Sequence, residues 1–266
     1  SDKIAEGKDA DIMEFHAPEL DAADLDDAAD LTGADMPSPS AYLSAQQKNT
    51  LSAMTEQTDI MMARSISLSE DITKELNQCL TANGKTFSDL NDNPQLIMDL
   101  EAALYPSFKS ALDVKYCSGV FVVLDATVNT KTEYADTSRM GIYLRLSDLK
   151  AVNTSKQHVV FFRGNADIAR AEQVQLHNRW NLEFDTSALP GYEQIMRFDG
   201  NRLVESCLWT DRLELSDTWE DVQLLYVPVL DSTGKVRGLC GMEMSNLYFR
   251  LSYPMVEGSC GNIVTV

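Results

Sequence analysis

The sequence predicts an α+β fold in which a long N-terminal helix precedes an antiparallel sheet of about five strands with helices packed on it. Two observations lead to this prediction. Apolar residues recur at helical spacing over residues 40–82, whereas residues 117–266 contain β-branched and aromatic runs separated by polar turns. Helical and strand patterns that occupy separate parts of a chain are typical of α+β proteins.

The composition narrows the range of partners. The chain has 266 residues and a formal net charge of −19, which is enough length for one large domain or two small ones. Residues 1–36 hold twelve acidic residues and two lysines, so about half of the net charge lies there. A surface of this sign repels nucleic acid and anionic lipid headgroups, and we expect neither as a partner.

The composition of residues 1–39 predicts an acidic, disordered linker. They are rich in Asp and Ala, contain few large apolar side chains and end in a Pro-Ser-Pro-Ser breaker. Such a segment buries too little apolar surface to offset the entropy lost on ordering. An acidic interaction arm is the alternative to a solvated linker.

Residues 40–82 predict one helix, about 60 Å long at 1.5 Å per residue. Neither Gly nor Pro interrupts them, and Asn83 and Gly84 supply a stop signal. The apolar stripe that defines the helix is formed by Leu51, Met54, Met61, Leu68, Ile72, Leu76 and Leu80. This stripe would pack on its own domain, on the twin helix of a homodimer, or on both.

A second helix is predicted from about Pro94 to Val114, with proline in its first turn. Pro106 lies inside this segment. Because proline lacks the amide hydrogen that an α-helix needs, we expect it to kink or split the helix. The two helices together make residues 40–116 a helical region.

The second half of the chain alternates between strand and helix patterns. Strands are predicted at Ser118–Asn129, Arg139–Asp148, His158–Gly164 and Arg202–Leu215, and helices within residues 165–180 and 189–200. A hairpin with the turn Asp231–Gly234 closes the sheet over residues 221–245. Strand alternation places Leu225, Val227 and Val229 on one face, with Leu224, Tyr226 and Pro228 on the other.

Catalytic, cofactor and metal motifs are missing from the sequence. No nucleophile elbow, phosphate loop or dinucleotide fingerprint occurs, the three histidines are scattered, and the five cysteines form no C-x-x-C pair. Glu183 and Asp185 are spaced for acid–base chemistry, although acids are frequent throughout the chain. We therefore expect no enzyme activity, no cofactor and no metal site, and we expect the cysteines to be buried like hydrophobic residues.

Three segments resemble extracytoplasmic sensor domains of the Cache superfamily, which combine a long N-terminal helix with a PAS-like sheet. The first is the long helix running into "CSGVFVVLDATVNTKTEYADTSRMGIYLRL". The second is "RWNLEFD", near the position of an Arg-x-Trp-Tyr element in amino-acid-binding members. The third is the hairpin "LLYVPVLDSTGKVRGLCGMEMS". The likeness covers residues 40–250, but Arg179 and Trp180 are adjacent and Asn181 stands where the family's tyrosine would follow.

The resemblance implies a small-molecule-sensing domain on the extracytoplasmic side of a bacterial membrane, within a histidine kinase, diguanylate cyclase or chemoreceptor whose parent protein is membrane-anchored. The alternative is a free extracellular solute-binding protein or lipoprotein. Residues 117–250 would form the sensor domain, and residues 251–266 a further segment or C-terminal extension. The ligand would be small and polar, an amine or carboxylate and amino-acid-like in form. Candidate ligand-binding residues are Tyr143, Arg145, Arg179, Trp180, Tyr192, Trp209, Asp211 and Tyr226.

Overall fold

The computed structural model describes residues 45–114, 117–147, 158–198, 203–215 and 220–247. The predicted linker at residues 1–39 and the predicted extension at residues 251–266 lie outside these ranges. The chain divides into two units, Ser1–Lys48 and Asn49–Val266. The architecture that follows is that of the second unit.

Helix α1 spans Ala45–Ala82, which confirms the predicted long helix within the described residues. Its end is a Schellman motif, in which the Lys85 amide donates to the Leu80 carbonyl at 2.8 Å and the Gly84 amide donates to the Thr81 carbonyl at 3.1 Å. Gly84 has φ of 59°, a left-handed conformation that glycine adopts without steric cost. The predicted stop signal is therefore correct.

The apolar stripe of α1 is buried only in its second half. Met61, Leu68, Ile72, Leu76 and Leu80 belong to the main core, whereas Leu51 is 46% exposed and Met54 is half-buried. The sheet and α2 therefore cover α1 from about residue 61 onward.

Helix α2 spans Pro94–Ala111 and is capped by Asn93, whose side chain accepts a hydrogen bond from the Leu96 amide at 3.2 Å. Pro106 lies within it, and the helix is not split there. Pro106 is exposed, on the side of α2 opposite its buried face. That buried face carries Leu96, Ile97, Leu100, Leu104 and Phe108.

An α+β fold is confirmed, but the sheet has more strands than the five that were predicted. Eight strands of the described residues form one sheet in the order β5-β4-β3-β1-β10-β9-β7, with β8 also paired to β9. The pairs are antiparallel except β4 with β5, which is parallel. The strands are β1 Gly119–Leu124, β3 Gly141–Leu146, β4 Val159–Arg163, β5 Gln175–Asn181, β7 Leu208–Trp209, β8 Leu213–Leu215, β9 Glu220–Leu230 and β10 Val236–Ser245. A separate pair joins β2 Ser138–Arg139 to β6 Phe184–Asp185.

Two predicted elements differ from the structure. The segment 165–180 is helical only in α3, Ala166–Ala171, after which Gln173 takes a positive φ of 57° and the chain enters β5. Parallel pairing with β4 outweighs the helical pattern there. The segment Arg202–Leu215 is not one strand, because within its described part a 3₁₀ turn at Leu203–Ser206 precedes β7 and β8. Helix α4, Tyr192–Met196, lies within the predicted helical segment 189–200.

The two faces of the sheet carry separate cores. Leu225, Val227 and Val229 pack with α1 and α2, whereas Leu224 and Tyr226 belong to a second cluster with α4. The predicted alternation of the closing hairpin is correct for these residues. The second face is called the aromatic face below, and it carries Phe121, Val123, Tyr143, Phe162, Val222, Leu224, Tyr226 and Leu239.

A carboxyl group is buried where α2 meets the sheet. Glu101 is 1% exposed, and its Oε2 accepts a hydrogen bond from the Asn165 amide at 2.9 Å. Burial raises the pKa of Glu101 to about 8, with a further upward contribution from Glu183, while hydrogen bonds from the amides of Asn165 and Gly141 lower it. The group is therefore protonated in the folded protein at neutral pH.

We expect Glu101→Gln to stabilise the protein increasingly as the pH rises. The carboxyl of the unfolded chain ionises near pH 4.5, whereas that of the folded protein ionises near 8. Between these values the folded state binds the extra proton, so wild-type stability falls with rising pH by about 1.4 kcal/mol per unit at most. The advantage of Glu101→Gln in urea unfolding should grow by up to about 3 kcal/mol from pH 5 to pH 8.

The matched control is Glu193→Gln, which removes an exposed carboxylate in α4. It should keep the wild-type pH dependence. Equal pH dependence of wild type and Glu101→Gln would contradict the assignment of a buried, protonated Glu101.

Candidate functional site

The aromatic face is built around a row of rings across the central strands. Phe121 in β1 makes edge contacts with Tyr143 of β3 at 5.4 Å and with Tyr226 of β9 at 5.8 Å between centroids. Tyr143 in turn contacts Phe162 at 5.3 Å. The row follows from register, because Phe121 is paired with Tyr143 on one side and with Gly241 on the other, and Gly241 is paired with Tyr226.

A buried ion pair lies beside this row. The Arg145 guanidinium donates to Glu243 through Nε at 2.7 Å and through Nη2 at 2.9 Å, so the contact is bidentate. Arg145 is 3% exposed and Glu243 is 0% exposed. The hydroxyls of Ser118 (2.7 Å) and Tyr143 also donate to the Glu243 carboxylate.

Gly119 allows the ion pair to form across a strand. It is paired with Arg145 on one side and with Glu243 on the other, so the two charged side chains meet above it. A Cβ atom at position 119 would lie 2.8 Å from Glu243 Oε2 and 2.9 Å from Tyr143 Cε2. Any side chain at this position would therefore displace the carboxylate from the guanidinium.

The ion pair sets the protonation of its neighbours. Burial opposes ionisation of Glu243, but Arg145 and the hydroxyls of Tyr143 and Ser118 hold the pKa of this carboxyl below its ordinary value. Burial, and then the Glu243 charge, raise the pKa of Tyr143 well above its ordinary value. Tyr143 is therefore a neutral donor, and Glu243 is an ionised acceptor that receives four hydrogen bonds.

The Tyr226 hydroxyl in β9 is buried, and the described residues supply no hydrogen bond to it. Burial, and then Asp125, raise the pKa of the Tyr192 hydroxyl at the start of α4 to about 12, while Arg139, which lies beside it, lowers that pKa. Burial also raises the pKa of Tyr226. Both hydroxyls are neutral, and a buried donor without a partner, such as that of Tyr226, costs about 1–3 kcal/mol.

The structure brings four of the eight predicted ligand-binding residues to the aromatic face. Tyr143, Arg145, Tyr192 and Tyr226 lie there together. These four are contributed by β3, α4 and β9, which are distant in sequence and adjacent in the fold.

The other four predicted residues lie elsewhere. Trp180 and Trp209 pack against the core on the α1 side, and Trp180 Nε1 donates to the Gly164 carbonyl at 2.9 Å. Trp209 is paired with Leu225, which fixes its side chain to that side of the sheet. Arg179 is exposed in β5, and Asp211 is exposed between β7 and β8.

Several residues of the site were not among the predicted ligand-binding residues. Glu243 lies in the predicted hairpin, and an acid in an otherwise apolar buried strand is itself a signal of a buried partner. Ser118, Phe162, Arg163 and His177 carry no such signal, because their proximity depends on strand pairing.

Glu183 and Asp185 have structural contacts. Glu183 accepts hydrogen bonds from the Val128 amide at 2.8 Å and from the Ser138 hydroxyl at 2.5 Å, which closes the loop before β2. Asp185 caps the 3₁₀ turn at Thr186–Ala188 through the Ser187 amide. Within the described ranges no group of three His, Cys, Asp or Glu side chains is placed to hold a metal ion, and no helix there has the length and apolarity needed to cross a membrane.

Comparison with known proteins gives likenesses to solved structures only. No protein-family model matches the sequence, and no curated protein matches it. The chain is similar to the periplasmic sensory domain of the Campylobacter jejuni chemoreceptor Tlp1, with 13% identity, a TM-score of 0.44, and coverage of 77% of this chain and 60% of that one. It is also similar to a structure described as methyl-accepting chemotaxis protein X, with 13% identity, a TM-score of 0.33, and coverage of 76% and 67%. The chain thus spans 60% of the first of these.

We expect Glu243→Gln to cost about 3–5 kcal/mol of unfolding free energy, because it removes the carboxylate from beside a buried guanidinium. Urea unfolding at pH 7 measures this loss. The control is Asp167→Asn, which breaks an ion pair with Arg170 whose side chains are 62% and 78% exposed. The control should cost less than about 1 kcal/mol. Similar losses in the two variants would show that the Glu243 contact does not hold the sheet together.

Proposed function

We propose that this chain is the extracytoplasmic, small-molecule-sensing domain of a bacterial signal-transduction receptor, with a Cache-type, PAS-like sheet. The proposal is supported by the different contacts that the two faces of one sheet make. The long helix α1 packs on one face, and the Tyr226 hydroxyl, which has no partner among the described residues, lies with charged side chains on the other. The closing hairpin contributes to both faces, so a ligand on one face would act on the helix at the other.

The coupling is direct at the hairpin. The Ser69 hydroxyl of α1 donates to the Pro228 carbonyl of β9 at 2.6 Å, and this contact is buried. Leu225 and Val227 of the same strand pack in the core that contains Leu68 and Ile72 of α1. A movement of β9 driven by a ligand at Tyr226 would therefore displace α1.

The energy required for such a signal is small. A ligand needs to prefer one arrangement of the hairpin and helix by only about 1–3 kcal/mol to bias the output. The Tyr226 hydroxyl supplies an interaction of this size, because a buried donor gains a partner when an acceptor binds.

The proposal includes a homodimer that pairs two copies of α1. Leu51, which belongs to the apolar stripe of this helix, is 46% exposed. Sedimentation should show a dimer for the wild type, and Leu51→Glu should shift it toward monomer. A monomer at all concentrations for the wild type would contradict this part of the proposal.

A free extracellular solute-binding protein or lipoprotein is the second candidate. In this candidate the ligand would bind at the same site, but α1 would not transmit a signal to an output module. A flanking apolar segment of about 20 residues in the parent gene favours the receptor, whereas a lipobox with nothing downstream favours the free protein.

We also propose that the domain is not an enzyme, and turnover of ester, phosphate, glycoside or peptide substrates would contradict this.

The ligand-binding role is tested with a metabolite library and a thermal-shift readout. At least one compound should stabilise the wild type, since a ligand at 100 times its dissociation constant adds about 2.7 kcal/mol. Tyr226→Phe should abolish or weaken this stabilisation. It should leave the ligand-free protein at least as stable, because it removes a buried hydroxyl without a hydrogen bond.

The control variant is Tyr134→Phe, which makes the same change at a tyrosine that is 67% exposed. It should respond to the compound like the wild type. A library without any stabiliser would contradict the sensing role. A response of Tyr226→Phe equal to that of the wild type would show that the ligand does not bind at the aromatic face.

A further inference from the structure

Positive charge converges at one end of the aromatic face, in a chain whose net charge is −19. The Arg163 guanidinium carbon lies 4.2 Å from the centroid of the Phe162 ring, and that of Arg145 lies 5.4 Å from it. The His177 ring packs edge-on against Phe162 at 4.9 Å. Arg145, Phe162, Arg163 and His177 are called the Phe162 cluster below.

A register shift creates this cluster. In the pairing of β3 with β4, Tyr143 is opposite Arg163 and Leu144 is opposite Phe161, so Phe162 is the extra residue of a bulge. A bulge re-aims side chains that strict alternation would separate. Phe162 therefore reaches Tyr143 while the neighbouring Arg163 guanidinium lies over the Phe162 ring.

The charge of Arg163 is not paired with a carboxylate among the described residues. Glu243 is a carboxylate in contact with the cluster, and it is engaged by Arg145 and two hydroxyls. Arg163 Nη1 donates to the carbonyls of Phe162 at 2.7 Å and Arg179 at 2.9 Å, which are neutral acceptors. Arg163 is half-buried, so its charge is only partly screened by water.

His177 adds a neutral donor to the cluster. Its Nδ1 accepts a hydrogen bond from the Arg179 amide at 3.1 Å, so in the neutral ring Nε2 carries the hydrogen. Burial, and then the charges of Arg145, Arg163 and Arg179, lower the pKa of His177 from its ordinary value. The imidazole is therefore neutral at pH 7, with a donor at the cluster.

We propose that the Phe162 cluster is an anion-binding subsite, which takes a carboxylate or phosphate group of the sensed ligand. This inference rests on the proposed sensing function for its role. A guanidinium offers paired donors that match the oxygens of either group, and the Phe162 ring orients the guanidinium plane. The same positive charges repel an amine, so the subsite narrows the ligand class from amine or carboxylate to anion.

The experiment titrates the wild-type protein with sodium phosphate, sodium succinate and neutral succinamide, using isothermal calorimetry. At least one of the two anions should bind with one site per chain, and succinamide should not. Binding of phosphate alone assigns a phosphorylated ligand, and binding of succinate alone assigns a carboxylate ligand. If neither anion binds, or if succinamide binds as well as succinate, the inference is overturned.

Two variants locate the binding. Arg163→Gln should weaken anion binding at least tenfold, whereas Arg170→Gln, the same change at an exposed arginine of α3, should leave it unchanged. Equal affinity in wild type and Arg163→Gln would overturn the inference. Arg163 also donates hydrogen bonds to two backbone carbonyls, so its substitution changes the structure as well as the charge. NMR of the wild type provides a second readout that needs no substitution. The bound anion should raise the titration midpoint of His177, and an unchanged midpoint would place the anion elsewhere.

The outcomes separate this inference from the sensing function. Suppose that a neutral library compound stabilises Arg163→Gln as it does the wild type, but does not stabilise Tyr226→Phe. This result would support the sensing role and contradict the anion subsite. Anion binding that is lost in Arg163→Gln, in a protein that no library compound stabilises, keeps the subsite and removes the sensing role.

Discussion

The Arg145–Glu243 ion pair fixes how the three central strands lie against one another. Glu243 in β10 and Arg145 in β3 are separated by β1, and they meet only above Gly119. Both charges are withdrawn from water, which costs several kcal/mol per ion unless the geometry is good and the remaining hydrogen-bonding groups are satisfied. Here the carboxylate has four donors, so a register shift of one residue on either side of β1 would leave two buried charges apart.

This register decides which side chains each face presents. Because alternation has a period of two, holding Glu243 on the aromatic face also places Leu239 there and places Cys240 and Met242 against α1. The hairpin partner follows, with Tyr226 opposite Gly241 and Val227 opposite Cys240. The Arg145–Glu243 contact thus fixes both the apolar surface on which α1 packs and the row of aromatic rings on the other face. Strands β9 and β10 contribute residues to both.

Local sequence patterns predicted the elements better than the site. The stripe of α1, its stop at Gly84 and the alternation of Leu224 to Val229 are properties of short segments, and they are correct. The partnership of Arg145 with Glu243 joins residues 98 positions apart, and the cluster at Phe162 depends on a bulge. Trp209 shows the same limit, because alternation alone does not say which face of β7 meets α1. Of the expected ligand contacts, the two tryptophans lie on the α1 side of the sheet, whereas the three tyrosines and Arg145 lie on the aromatic face.

The charge of the aromatic face has to be judged locally. The net charge of −19, taken alone, would predict repulsion of anions. At physiological ionic strength the field of exposed charges decays over about 8 Å. The Arg163 guanidinium and the His177 ring lie within 5 Å of the same Phe162 ring, well inside that distance. At such separations a half-buried guanidinium outweighs acids that are more than one screening length away, because screening and the dielectric of water weaken the distant charges most. An acidic chain therefore accommodates a subsite of positive potential without any change in its overall charge.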